Sequence, residues 1–262
     1  MLFVDVTPVP KPTSGTIVCW RKFHNGNLWD GCSGVTVLFM VNYLKLESII
    51  GKDPSVWPRN CLVPYPTWFD SEIDTFVDAV KLSSEGLLEE SQKMLAKINS
   101  QELMSWFVDV GQNSGQYRIK IPGNYKKREN SGAREQWPAN REIEVLRRDN
   151  YCCCYCGIRL VHRKQLEAFT KLVGKKAFPN GKSNSERHGI RFLVTATFDH
   201  ISPMSESSDS NRNVIENIVA SCWSCNFGKN YFTLDELGLD FPKAKNHSKE
   251  WDGLTGLLAL RD

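Results

Sequence analysis

Two Cys-x-x-Cys pairs, Cys153/Cys156 and Cys222/Cys225, constrain this chain more than any other feature of its sequence. The spacing lets both thiolates of a pair meet one ion from a single tight turn. Two such pairs complete a closed tetrahedral zinc site with no open position for chemistry. Gly157, just after the first pair, can supply the positive φ that such a turn needs. The pairs stand 65 residues apart (157 to 221), against the roughly 15–20 of compact double-knuckle sites. Tripling a flexible loop adds only about 1 kcal/mol of closure entropy, whereas a structural zinc ion contributes roughly 10–16 kcal/mol. The long insertion therefore does not veto the site. Cys152 and Cys154 are taken as neighbours of the ligands, because the Cys-x-x-Cys spacing selects 153 and 156. The alternative, a thioredoxin-like redox pair, lacks a βαβ context.

Clustered cysteines fit a reducing compartment, where they hold metal more often than they form disulfides. The start, Met1 to Asp5, lacks the basic n-region and apolar run of a secretory signal. No apolar run reaches the roughly 18 residues of a membrane span. The expectation is a cytoplasmic protein with no membrane partner. The scattered Cys19, Cys32 and Cys61 are read as buried or incidental. The net charge of +3 is unevenly spread. Residues 117–191 hold 18 Lys/Arg against 7 Asp/Glu, while the flanking stretches are each net acidic. Such a block suits a phosphate-bearing partner, or else a solvated basic face.

Residues 1–68 are rich in Pro, Gly and aromatic residues, and the apolar run Val35 to Val41 fits a strand or a helix equally. From Ser71 to about Gly111 the pattern is helical. Ile73, Phe76, Val77 and Val80 share one face, and Asn99 with Glu102 reads as a capping box opening a helix over 101–110. Gly111 to Pro138 is polar and turn-rich and contains Lys126-Lys127-Arg128, a linker or a basic arm for nucleic acid. Asn140 is expected to cap a helix running to Asp149, residues 163–173 to form another, and Phe192 to Phe198 to form a strand. The loop at 174–190 is basic and rich in Gly, Ser and Asn.

Three features then follow in order: Asp199-His200 at the end of that strand, Asn217 in Glu216-Asn217-Ile218-Val219-Ala220, and Cys222-Trp223-Ser224-Cys225-Asn226-Phe227-Gly228-Lys229. With the lead-in Arg147 to Tyr151, this arrangement resembles the HNH endonuclease superfamily. The resemblance covers about 95 residues, interrupted at about 158–191, and does not extend to residues 1–135. It implies an α+β chain. A C-terminal ββα-metal domain stapled by zinc (residues 136–262) would follow a mixed α/β N-terminal domain of unknown type (residues 1–135). It also implies roles. His200 would be the general base, its imidazole poised near neutrality. Asp199 would be a ligand of a catalytic divalent ion, and Asn217 would hold the His200 ring. Lys229 would contact a phosphate; apart from the resemblance, the basic run Lys126, Lys127 and Arg128 is expected to bind nucleic acid. Where many relatives carry a second His, this chain has Asn226. A carboxylate with an amide oxygen makes a hard site that favours Mg²⁺ or Mn²⁺. The expected activity is hydrolysis of DNA to 5′-phosphate and 3′-hydroxyl ends, in a setting such as restriction or phage defence. The alternative is a zinc-stabilised module that binds nucleic acid without cutting it. The first 135 residues are left to target recognition, a protein partner or homodimer contact, with Trp20, Trp29, Trp57 and Trp68 available for a base pocket.

Overall fold

The computed structural model describes residues 62–119, 139–203, 213–245 and 251–258, all within one compact unit, Tyr43–Asp262. Helices α1 (Phe69–Ser84), α2 (Leu88–Leu95), α3 (Ser100–Trp106) and α4 (Ser114–Ile119) precede α5 (Ala139–Arg148). Helices α6 (Arg163–Val173) and α7 (Arg191–Val194) follow, then strands β1 (Ala196–His200) and β2 (Ile218–Cys222), and finally helices α8 (Trp223–Lys229) and α9 (Leu234–Leu237). This is the mixed helix and small-sheet composition expected of an α+β chain. No helix among the described residues is long and apolar enough to cross a membrane.

Helical spacing decides which face of α1 is buried. Phe69, Ile73, Phe76 and Val80 are fully enclosed, while acidic Asp70 and Glu72 lie in the first turn and Lys81 in the last, matching the helix dipole. Phe76 meets Phe169 of α6 edge-on at 5.5 Å and stacks near Phe178 of the following loop at 5.6 Å. Phe107 stacks on Phe192 of α7 at 4.6 Å and lies 5.6 Å from Trp223 of α8. Helices on both sides of residues 120–138 thus contribute to one large hydrophobic core, beside a small second cluster of Cys154, Ile201 and Val219.

Several local expectations are sharpened. Asn99 caps α3 through Oδ1, which accepts from the Glu102 backbone N–H at 3.3 Å. The reciprocal half of the box is rewired: the Asn99 backbone N–H donates to Glu72 of α1 at 3.2 Å, and Glu102 meets the Asn99 amide instead. Past Trp106 the helix widens into a π turn, Phe107–Gly111. Helix α5 begins at Ala139, so Asn140 sits inside it rather than capping it. The strand expected at 192–198 is displaced. Residues 191–194 make a buried helical turn, and the strand begins at Ala196 and runs through His200. Alternation in Phe192 to Val194 reflected burial on all sides rather than a pleat. The run Val35–Val41 and Cys19, Cys32, Cys61, Trp20, Trp29 and Trp57 lie outside the described residues; Trp68 packs edge-on against Phe69.

Candidate active site and metal centre

Strands β1 and β2 pair antiparallel, with His200 opposite Ile218 and Ala196 opposite Cys222. Helix α8 leaves β2 directly, giving a strand–strand–helix unit. The β2 end hands Cys222 to the start of α8.

The first knuckle grows from the end of α5. Asn150 and Tyr151 both adopt left-handed backbone, φ 54° and 53°, so the chain reverses sharply. The Tyr151 carbonyl is tied down by Leu160 N–H at 2.7 Å and by Trp251 Nε1 at 2.9 Å. Gly157 has φ 84°, as the turn demanded, and donates to Cys153 O at 2.8 Å. Arg148 and Asp149 lock this corner to the sheet. The carboxylate accepts Arg148 Nε at 2.7 Å and the Ala220 N–H at 2.7 Å. The guanidinium donates to Ile215 O at 2.8 Å.

The sulfurs of Cys153, Cys156, Cys222 and Cys225 all lie within 4.8 Å of one another. Cys156 and Cys222 are 3.9 Å apart, close to the roughly 3.8 Å edge of a tetrahedron with Zn–S bonds of about 2.3 Å and far from disulfide contact of about 2.05 Å. The donor set therefore fits a metal ion such as zinc. Burial pushes the Cys225 thiol up; Cys153, equally buried, is nonetheless held low by hydrogen bonds from the other three cysteines. Cys152 and Cys154 stay outside the cluster. Cys154 is pushed up by burial and by neighbouring Asp149. One contact was not foreseen: Tyr65, upstream of α1, places its hydroxyl 2.6 Å from Cys222 Sγ. Burial raises the Tyr65 hydroxyl well above its usual range, so it keeps its proton.

On the sheet, His200 Nε2–H donates to Asn213 Oδ1 at 3.0 Å. This leaves Nδ1 of the ring as the nitrogen with a lone pair. Asn217, expected to hold that ring, instead grips the loop beyond it. Its Oδ1 accepts the Ser202 N–H at 2.8 Å and its Nδ2 donates to Ser202 O at 3.3 Å. Asn213 was missed because nothing in its local sequence marks it; only the fold brings it to the ring.

Asp199 is buried, and Oδ2 accepts from the Tyr155 hydroxyl at 2.6 Å and lies 3.3 Å from Lys229 Nζ. Burial raises its carboxyl, with Lys229 and then Tyr155 pulling it back. Tyr155 is itself pushed far up, by burial and then by the Asp199 charge, and stays protonated. Lys229 does not stand ready for a phosphate. It is 0% exposed, with Nζ donating to His200 O at 2.6 Å. A buried carboxylate requires a buried cation, and that need places Lys229 beneath the site. Asn226 donates through Nδ2 to Thr197 Oγ1 and Phe198 O, both at 3.3 Å. Among the described residues, Asp199 Oδ1, Asn226 Oδ1 and His200 Nδ1 carry no protein hydrogen bond. Lys126, Lys127 and Arg128 lie outside the described residues.

No curated protein and no solved structure matches the chain. Residues 186–232 match the HNH endonuclease family, a match that points to nuclease chemistry in general and to a nucleic-acid substrate. That segment holds β1, β2 and α8, and with them His200, Asn217 and Asn226, and its match supports membership of the HNH endonuclease superfamily.

Proposed function

We propose that this chain is a metal-dependent DNA endonuclease in which His200 Nδ1 takes the proton of the attacking water. The observation that supports it most is the set of uncommitted atoms on one strand–strand–helix unit: His200 Nδ1, Asp199 Oδ1 and Asn226 Oδ1. Each of these groups spends its other polar atom on the protein, which fixes the side chain and leaves one atom for chemistry. Asn213 polarises His200 from Nε2 and selects its tautomer. Asn217 holds the loop after His200 in place. Asp199 and Asn226 would hold a hard divalent ion, Mg²⁺ or Mn²⁺, and the ion would neutralise the charge that builds on the phosphate and the leaving 3′ oxygen. The ion on Cys153, Cys156, Cys222 and Cys225 would be zinc, structural and closed to substrate. Products would carry 5′-phosphate and 3′-hydroxyl ends. Restriction or phage defence is the proposed setting, with residues 1–135 providing target recognition, a protein contact or a homodimer contact.

The test is relaxation of supercoiled plasmid in Mg²⁺ or Mn²⁺. The native chain nicks it, and His200→Ala lowers the rate by two to four orders of magnitude, about the contribution of a general base. Undiminished cleavage by His200→Ala removes the assignment of the base. DNA retained in a gel shift but never cut with either ion favours the non-catalytic binding module, which the basic block at 117–191 would serve equally well.

A further inference from the structure

The atoms that hold Asp199 come from the two cysteine knuckles, and nothing in the superfamily match calls for that. Tyr155 lies inside the first knuckle, between Cys154 and Cys156. Its backbone belongs to the sulfur cluster, yet its hydroxyl donates to Asp199 Oδ2 at 2.6 Å, 44 residues further along the chain. Lys229 ends the helix that the second knuckle begins, and its ammonium reaches the same oxygen at 3.3 Å. Two donors, one from each knuckle, thus converge on one carboxylate oxygen. A carboxylate gripped at Oδ2 from two directions cannot turn freely about its last torsion, so Oδ1 is offered in one orientation. Partners behind a ligand set its aim and basicity, and losing one typically weakens metal affinity about 10- to 100-fold.

We infer that Tyr155 is a positioning residue that couples the cysteine-bound ion to the hard-cation site, by fixing Asp199 so that Oδ1 faces the second ion. This rests on the reading of Asp199 as a cation ligand given above. Lys229 neutralises the buried carboxylate, while Tyr155 aims it. The knuckle holds Tyr155 in register, so the cysteine site acts on the hard-cation site at a distance as well as on the fold.

The experiment uses the full zinc-loaded chain with Mn²⁺ as the probe, binding being read from loss of the free-ion electron paramagnetic resonance signal. Zinc content is measured in parallel with a chromogenic chelator after denaturation. Tyr155→Phe removes one hydroxyl and keeps the ring. Tyr155→Met, which fills similar volume with a flexible side chain, is the second variant, and whichever melts cooperatively is scored. The expected result is Mn²⁺ affinity weakened about 10-fold or more, with zinc content unchanged at one ion per chain. A purely packing role would shift the melting temperature and leave Mn²⁺ affinity alone. Unchanged Mn²⁺ affinity overturns the inference while leaving the endonuclease reading intact. Loss of zinc together with Mn²⁺ also overturns it, since Tyr155 would then serve the cysteine cluster itself. If the native chain binds Mn²⁺ no more tightly than Asp199→Asn, the cation-ligand reading fails and this inference falls with it.

Discussion

Lys229 shows how much a single side chain depends on its surroundings. A lysine with no solvent exposure is stable only when its charge is matched, and here Asp199 and the His200 carbonyl match it. Removing one member of a buried pair strands the other. Lys229→Met should therefore lower unfolding stability by about 3–5 kcal/mol, measured by urea denaturation; a change below about 1 kcal/mol would mean that Asp199 is already neutral in the native state. Tyr65 poses a milder question. Its hydroxyl makes a hydrogen bond with the Cys222 sulfur, and hydrogen bonds to a ligand tune its hold on an ion. Tyr65→Phe should release the cysteine-bound ion to a chromogenic chelator several-fold faster than the native chain, at little cost to folding.

At the scale of elements, the insertion between the knuckles is docked by two buried basic residues that behave differently. Arg191 lies 4.0 Å above the Phe178 ring and donates to Pro179 O at 3.0 Å; burial lowers it to about 10, so it stays cationic at neutral pH. His188 is lowered to about 4, mainly by burial, with a bond to the Leu95 backbone pulling the other way and Arg191 adding repulsion. Its Nδ1 accepts from the Ile190 N–H at 3.4 Å, a role open only to the neutral ring. The unfolded chain takes up a proton near pH 6.5 and the folded chain only near 4. His188 therefore contributes nothing pH-dependent above about 6.5, and stability falls progressively from there down to about pH 4, by an amount on the order of 3 kcal/mol. His188→Gln should flatten that part of a pH–stability curve, and an unchanged slope would place the titration elsewhere. Helix contacts give a second prediction. A Cβ on Gly115 of α4 would lie 2.2 Å from the Phe227 carbonyl of α8. Gly115→Ala should prise α4 from α8 and lower the melting temperature, a cost of about 1–3 kcal/mol, despite alanine's better helix propensity.

For the whole molecule, the cysteine cluster joins the end of α5 to the sheet and α8, segments far apart in the chain. The donor set fits an ion, and a chelator that strips such an ion should abolish the cooperative melt rather than shift it slightly, because a structural ion's binding energy is part of the folding energy. A melt that keeps its midpoint would show that the aromatic core of Phe76, Phe169, Phe107 and Phe192 suffices alone. Much of this architecture was legible beforehand. The four clustered sulfurs, the turn at Gly157, the face of α1 and the order of Asp199-His200, Asn217 and Asn226 are local patterns, and local chemistry specifies them. The division expected at residue 135 lies outside the described residues; among those described, burial brings members of 62–119, 139–203, 213–245 and 251–258 into one hydrophobic cluster.

By itself, the sequence determined which cysteines pair at metal-ligand spacing and which motif carries the HNH resemblance, because spacing and motif order are properties of neighbouring residues. Only the tertiary structure decided that Lys229 lies buried beside Asp199, that Asn213 rather than Asn217 meets the His200 ring, that the strand begins at Ala196, and that Tyr65 and Tyr155 stand behind Cys222 and Asp199. Each of these depends on burial or on contacts between segments distant in the chain. A hydrogen bond across 157 residues, like that from Tyr65 to Cys222, leaves no periodicity for a sequence to show.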